Sequence, residues 1–130
     1  MKSGLLKLAA VAVAITAASG ARAAPVTQDD FLLNTTANLV SLCGADKTDP
    51  LYTAAINFCH GFTLGTYTML RIEDAASRSK HKAICMPNPP PTRDQAIAAF
   101  VAWASSRPKT LASPPTDGLG EYLLAQYPCK

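Results

Sequence analysis

Between Leu51 and Arg71, apolar residues fall on almost every side of a helical wheel: Tyr52, Ala55, Ile56, Phe58, Cys59, Phe62, Leu64, Tyr67, Met69 and Leu70. A helix that is apolar nearly all round is a buried one, so this stretch is expected to be the central helix of the fold. Asp49 and Pro50 mark its start, an N-cap acceptor followed by a residue with a pre-set φ. Gly61 and Gly65 lie four apart on one face. Each costs about 1 kcal/mol of helix propensity relative to alanine, and the expected return is close approach by a neighbouring backbone. A membrane span would need about 20 mostly apolar residues, and Asn57, His60 and the threonines at 53, 63, 66 and 68 argue against one. A buried strand pair broken at the glycines is the other alternative; the capped start and the unbroken length favour helix.

Helical spacing recurs on both sides of this stretch. Thr27 to Leu42 reads as a first helix, capped by Thr27, with Asp29 and Asp30 in its first turn and a face of Phe31, Leu32, Leu39, Val40 and Leu42. Cys43-Gly44 ends it. Thr92 with Gln95 forms a capping box that opens a third helix, buried along Ile97, Phe100, Val101 and Ala104 and ended by Arg107-Pro108. Trp103 falls to the side of that stripe. A last helix runs from Ser113 or Pro114 to Tyr127, with a face of Leu119, Leu123, Leu124 and Tyr127 and two weakening glycines, Gly118 and Gly120. Between these lie a polar segment from Glu73 to Lys82, a stiff connector over 85–91, and a proline-bearing loop from Lys109 to Pro115. The expected fold is all-α: a small four-helix domain of two antiparallel helix hairpins.

The first residues change the charge picture. Met1 to Ala23 has the form of a secretory signal peptide, with Lys2 and Lys7 at its charged end, an apolar core over 8–18 and Ala21-Arg22-Ala23 as the cleavage site. Cleavage leaves 130 − 23 = 107 residues, 24–130, one domain by length. It also removes Lys2, Lys7 and Arg22, so 12 − 3 = 9 basic residues face 9 acidic ones. A neutral product has no electrostatic case for nucleic acid or an anionic membrane. No lipobox-like cysteine comes after the cleavage site, so the expected product is free in the periplasm, without membrane insertion.

All four cysteines, Cys43, Cys59, Cys85 and Cys129, lie in the mature part. An even number in a small exported chain reads as two disulfides. No pair has C-x-x-C spacing and neither His60 nor His81 completes a zinc pattern, so no metal is expected. Of the three possible pairings, the helix order favours Cys43 with Cys59 and Cys85 with Cys129: Cys43 ends the first helix near the early turns of the second, and Cys85 and Cys129 bracket the last two helices. The strain in that choice is that Cys59 stands about 13 Å up its helix at 1.5 Å per residue.

Catalytic chemistry is absent from the pattern. There is no G-x-S-x-G, no Gly-rich phosphate loop and no H-E-x-x-H. His60 beside Cys59 points about 100° away from it on a helix and reads as a structural or surface residue. The Glu73-Asp74 pair has no partner that would make it catalytic. An enzyme is not expected, nor a cofactor.

Three fragments together resemble a known family. Phe58-Cys59-His60-Gly61-Phe62-Thr63-Leu64-Gly65 is similar to the pattern F-C-x-G-aromatic-x-x-G. Cys85-Met86-Pro87 with Thr92 and Gln95 beyond it is similar to C-x-P…T-x-x-Q, and Tyr127-Pro128-Cys129 to a terminal aromatic-P-C. These are the marks of the Rap/Tai family of type VI secretion amidase immunity proteins. The resemblance covers roughly 31–130. It implies a periplasmic, all-helical, disulfide-linked homodimer that occludes the groove of a peptidoglycan-cleaving amidase. The chain departs from the pattern in 107–112, which lacks the arginine-histidine often found there, and in the extra prolines of the connector. Partner choice resides in such loops. The expected contact residues are therefore Arg107, Lys109 and Thr110 in the 107–115 loop, with Arg78, Lys80 and Lys82 in the basic 78–82 loop. The rival expectation is a periplasmic acid-stress chaperone that exposes apolar surface as carboxylates lose charge.

Overall fold

A computed structural model describes residues 24–78 and 82–130. The expected signal peptide, Met1 to Ala23, and Lys80 lie outside the described residues. The described chain is all-helical, with a 3₁₀ turn at Gln28–Leu32 ahead of five α-helices instead of four: α1 (Thr36–Cys43), α2 (Tyr52–Ala76), α3 (Arg93–Ser105), α4 (Pro108–Ala112) and α5 (Pro115–Gln126).

The single helix expected over Thr27 to Leu42 is two elements. Asp30 is the cause. Its carboxylate accepts from the backbone N–H of Thr27 at 2.8 Å, closing a capping box over the 3₁₀ turn, and from the Asn38 amide at 3.1 Å and the Ser41 hydroxyl at 3.1 Å. Thr35 and Asn38 then build a second box, with Thr35 N–H donating to the Asn38 carbonyl oxygen at 3.0 Å. Side chains that bond nearby backbone compete with helix interior and favour caps. The break falls at Leu33, whose φ of 51° is left-handed. Leu32, expected in the buried face, is exposed.

The hub is α1, not α2. Leu39 and Leu42 are fully buried, and α1 packs against every other helix. One cluster gathers Leu39, Phe100, Leu119 and Tyr122; a smaller one under the N-terminal segment holds Val26, Leu42 and Ala55. The helix expected to be central, α2, runs five residues past Arg71, to Ala76, and buries only Ala55, Cys59 and Thr63. It is about 37 Å long at 1.5 Å per residue, longer than the small bundle can cover. Asp49 tends its start, as expected, but through Leu51: its carboxylate accepts from Leu51 N–H and Val26 N–H, each at 2.8 Å.

Two disulfides fasten the helices. Cys43 is bonded to Cys59 across 16 positions and Cys85 to Cys129 across 44. The second seals a short pairing of connector and tail, where Ile84 bridges Pro128 antiparallel and Cys85 N–H donates to the Tyr127 carbonyl at 2.8 Å. The capping box of α3 forms as expected, with Gln95 N–H to Thr92 Oγ1 at 3.2 Å and Thr92 N–H to Gln95 Oε1 at 2.9 Å.

Candidate functional site

The proline-bearing loop expected over Lys109 to Pro115 contains a helix, α4. Pro108 supplies a first-turn φ at no hydrogen-bonding loss. The turn between α4 and α5 is latched to α1: Thr36 N–H donates to the Ser113 carbonyl at 2.8 Å, and the buried Thr36 hydroxyl lies 3.0 Å from the carbonyls of both Ser113 and Pro114. The segment between α3 and α5 is thus a fixed shoulder.

The three residues expected to meet a partner there are placed very differently. Arg107 lays its guanidinium 4.2 Å from the centroid of the Trp103 ring and donates to the Trp103 carbonyl. Trp103 itself leans on Tyr122 with centroids 5.6 Å apart, so Arg107 is an exposed cation on a fixed aromatic base. Lys109 is exposed. Thr110 is buried, its hydroxyl donating to Glu121 at 2.9 Å. It ties α4 to α5.

In the other expected segment, Arg78 and Lys82 are both exposed, just beyond the end of α2. On the far side of this segment, Ala83 N–H donates to Asp74 at 2.9 Å. Among the described residues, no hydrogen bond or ion pair joins this segment to Arg107 or Lys109. Glu73 and Asp74 therefore end a helix, with Asp74 occupied by backbone. His60 faces α3, its Nε2 3.3 Å from an Asp94 carboxylate oxygen, a link between helices when the imidazole is protonated. No group of His, Cys, Asp or Glu that could hold a metal ion occurs among the described residues.

Sequence reasoning missed the outer face of α2. Phe58, Gly61, Gly65, Met69 and Ile72 are spaced three and four apart, so they share one side of the helix. All are exposed; Met69 is 55% and Ile72 54% accessible. A β-carbon added at Gly61 or Gly65 would meet nothing within 4 Å. Among the described residues, neither glycine has the expected close neighbour. The same apolar pattern that suggested burial on every side marks a surface on one of them.

A family model described as Rap1a immunity proteins matches residues 35–129. The chain belongs to this family. The Rap1a match opens at Thr35, the cap of α1, and closes at Cys129, so it takes in all five α-helices and both disulfides and leaves out the 3₁₀ turn. It agrees with the immunity reading drawn from the residues around Cys59, Cys85 and Cys129. Searches of curated proteins and of solved structures returned no match. A Rap1a protein with two disulfides is suited to an extracytoplasmic compartment, since such bonds persist in oxidising surroundings. No described helix is long and apolar enough to cross a membrane.

Proposed function

We propose that the mature chain, 24–130, is a periplasmic immunity protein that binds a type VI-delivered peptidoglycan amidase and occludes its active-site groove. The observation that carries this reading is the Rap1a family match across 35–129. An immunity family implies an effector to be met, and the residues around Cys59, Cys85 and Cys129 resemble the Rap/Tai family of type VI secretion amidase immunity proteins. The shoulder formed by α4, with Arg107 on Trp103 and Lys109 beside it, is a rigid, cationic projection of the kind that loses little entropy on docking. Arg78 and Lys82 add basic surface at the end of α2, with Lys80 between them in the sequence. Thr110 supports the shoulder from beneath.

The test is occlusion. Mature, disulfide-bonded protein is added to the amidase encoded beside its gene, and peptidoglycan digestion is measured by turbidity. The expected result is loss of digestion at stoichiometric protein. An amidase that digests at full rate with the protein in excess overturns the amidase reading.

The homodimer implied by the resemblance has a natural seat on the outer face of α2. Its apolar stripe is long, and Gly61 and Gly65 leave room for a second α2 to come close. The same exposed stripe favours the second reading, a chaperone for unfolded clients. Suppression of client aggregation in acid, without binding to any amidase at neutral pH, supports the chaperone instead.

A further inference from the structure

On the flank of α2 away from that stripe, Leu64 and Tyr67 form one wall of a half-open cleft of about 370 Å³; Phe100 of α3 and Tyr122 of α5 line it too, and Pro90 and Pro91 of the connector complete it. The volume lies at the small end of ligand pockets, about 300–1,000 Å³, enough for one ring system. Polar groups in the walls are few. The Thr63 hydroxyl donates to the Cys59 carbonyl at 2.8 Å, the Tyr122 hydroxyl donates to the Ala96 carbonyl at 3.3 Å, and the Tyr67 hydroxyl accepts from the Arg71 guanidinium at 2.9 Å. The occupant of the interior is therefore chiefly apolar.

The mouth differs. Arg93, the first residue of α3, lines it and is exposed, and among the described residues no carboxylate pairs with it. Its neighbour Asp94 is engaged by His60. A cation in the first turn also gains nothing from the helix dipole. The cleft thus presents the Arg93 cation at its edge beside a largely apolar, ring-lined interior, with Arg71 held on the Tyr67 ring and hydroxyl on the α2 side. The interior is stiff: Tyr122 stands edge-on to Phe100, with centroids 5.5 Å apart, and to Tyr127, at 6.1 Å.

We propose that this cleft receives an aromatic side chain of the partner protein, with a carboxylate next to it in the partner's sequence held by Arg93. The inference rests on the effector-binding reading above and names the chemistry that the effector brings. An aromatic anchor in a pre-formed pocket with an arginine at its edge is the arrangement in which protein interfaces concentrate their energy. A ring fits the walls edge-to-face, and a pre-formed cleft leaves little ordering to be done on binding.

The experiment titrates isotope-labelled mature protein with N-acetyl-Asp-Trp-amide, N-acetyl-Lys-Trp-amide and decanoate, read by amide chemical shifts. The Asp peptide is expected to move the amides of 63–67, 96–100 and 119–123, and to bind about fivefold more tightly than the Lys peptide, the scale of one exposed ion pair. Arg93→Glu, at an exposed position, is expected to reverse that order while leaving the fold intact. Unmoved cleft amides at millimolar Asp peptide, equal affinity for the two peptides, or saturation by decanoate alone overturns the proposal, the last by making the site one for amphiphiles. The titration needs no effector, so it separates the two claims. If the protein blocks no amidase but the peptide order holds, the amidase reading falls and the cleft chemistry stands. If Arg93→Glu blocks the amidase as well as the unaltered protein does, the cleft is not where the effector docks.

Discussion

Gly118 in α5 and Thr36 at the start of α1 meet so closely that a β-carbon on the glycine would overlap the threonine hydroxyl and its methyl group. Thr36 cannot retreat. It is fully buried, and its hydroxyl is held between the carbonyls of Ser113 and Pro114. Gly118→Ala is therefore expected to destabilise the protein by about 1–3 kcal/mol, the cost of overpacking a tight site, despite the better helix propensity of alanine. Urea unfolding measures it; an unchanged or raised midpoint contradicts the contact.

Gly61→Ala and Gly65→Ala should behave in the opposite way in the isolated chain. Nothing lies near the added carbons, so each is expected to stabilise α2 by about 0.5–1 kcal/mol. If a second copy packs on that face, the same pair of substitutions will weaken self-association. Unfolding at low concentration and sedimentation at high concentration read the two effects separately, and Met69→Glu should abolish association without lowering monomer stability.

Thr110→Val tests the sorting of the expected contact residues. Losing the hydroxyl bond to Glu121 is expected to cost about 1 kcal/mol of stability and to leave a direct partner contact unchanged, because the side chain is buried. Lys109→Glu should do the reverse, weakening amidase binding with no shift in the unfolding midpoint. A Thr110→Val protein of normal stability but lost binding would place that residue at the interface instead.

Stability in acid should report Asp30. Burial alone would push its carboxyl up, but hydrogen bonds from the Thr27 N–H, Asn38, the Thr27 hydroxyl and Ser41 together outweigh burial and hold it below the ordinary carboxylate value. A folded value below the unfolded one means that the contribution is complete above the unfolded pKa and disappears as pH falls through the folded one. Asp30→Asn is expected to lower the urea midpoint at neutral pH and to flatten the loss of stability in acid. Parallel curves for the two proteins would show that Asp30 carries no such linkage.

Opening the disulfides should cost unequal amounts. On the chain-entropy relation, the 16-position loop between Cys43 and Cys59 corresponds to about 3 kcal/mol and the 44-position loop between Cys85 and Cys129 to about 4 kcal/mol. Urea unfolding of paired Cys→Ser variants tests the order. Together the two are comparable to the whole net stability of a small domain.

Local chemistry made much of the molecule legible. The capping box at Thr92 and Gln95, the proline connector, the helical class and the buried Ile97, Phe100 and Ala104 arise from residues within a turn or two of one another. The Rap/Tai resemblance likewise rests on short fragments, and the Rap1a match spans them. Local competition was harder to read: Asp30 and Asn38 divide the expected first helix because two capping boxes lie inside one apolar period. In α5 the periodic face named Leu124, whereas Tyr122 is the residue that enters the core.

Side-chain spacing states which residues can share a face of a helix, but not which face another helix will cover. An apolar α2 and five glycines in the described chain look alike along a sequence. Only the packing distinguishes Gly118, pressed against Thr36, from Gly61 and Gly65, which face open space. The reason is physical: helix formation depends on neighbours three and four residues away, whereas burial depends on how much of a helix about 37 Å long the rest of a small chain can reach. Propensity and caps therefore decided where the helices are. The docking of α1 among all the others decided what was left at the surface to meet a partner.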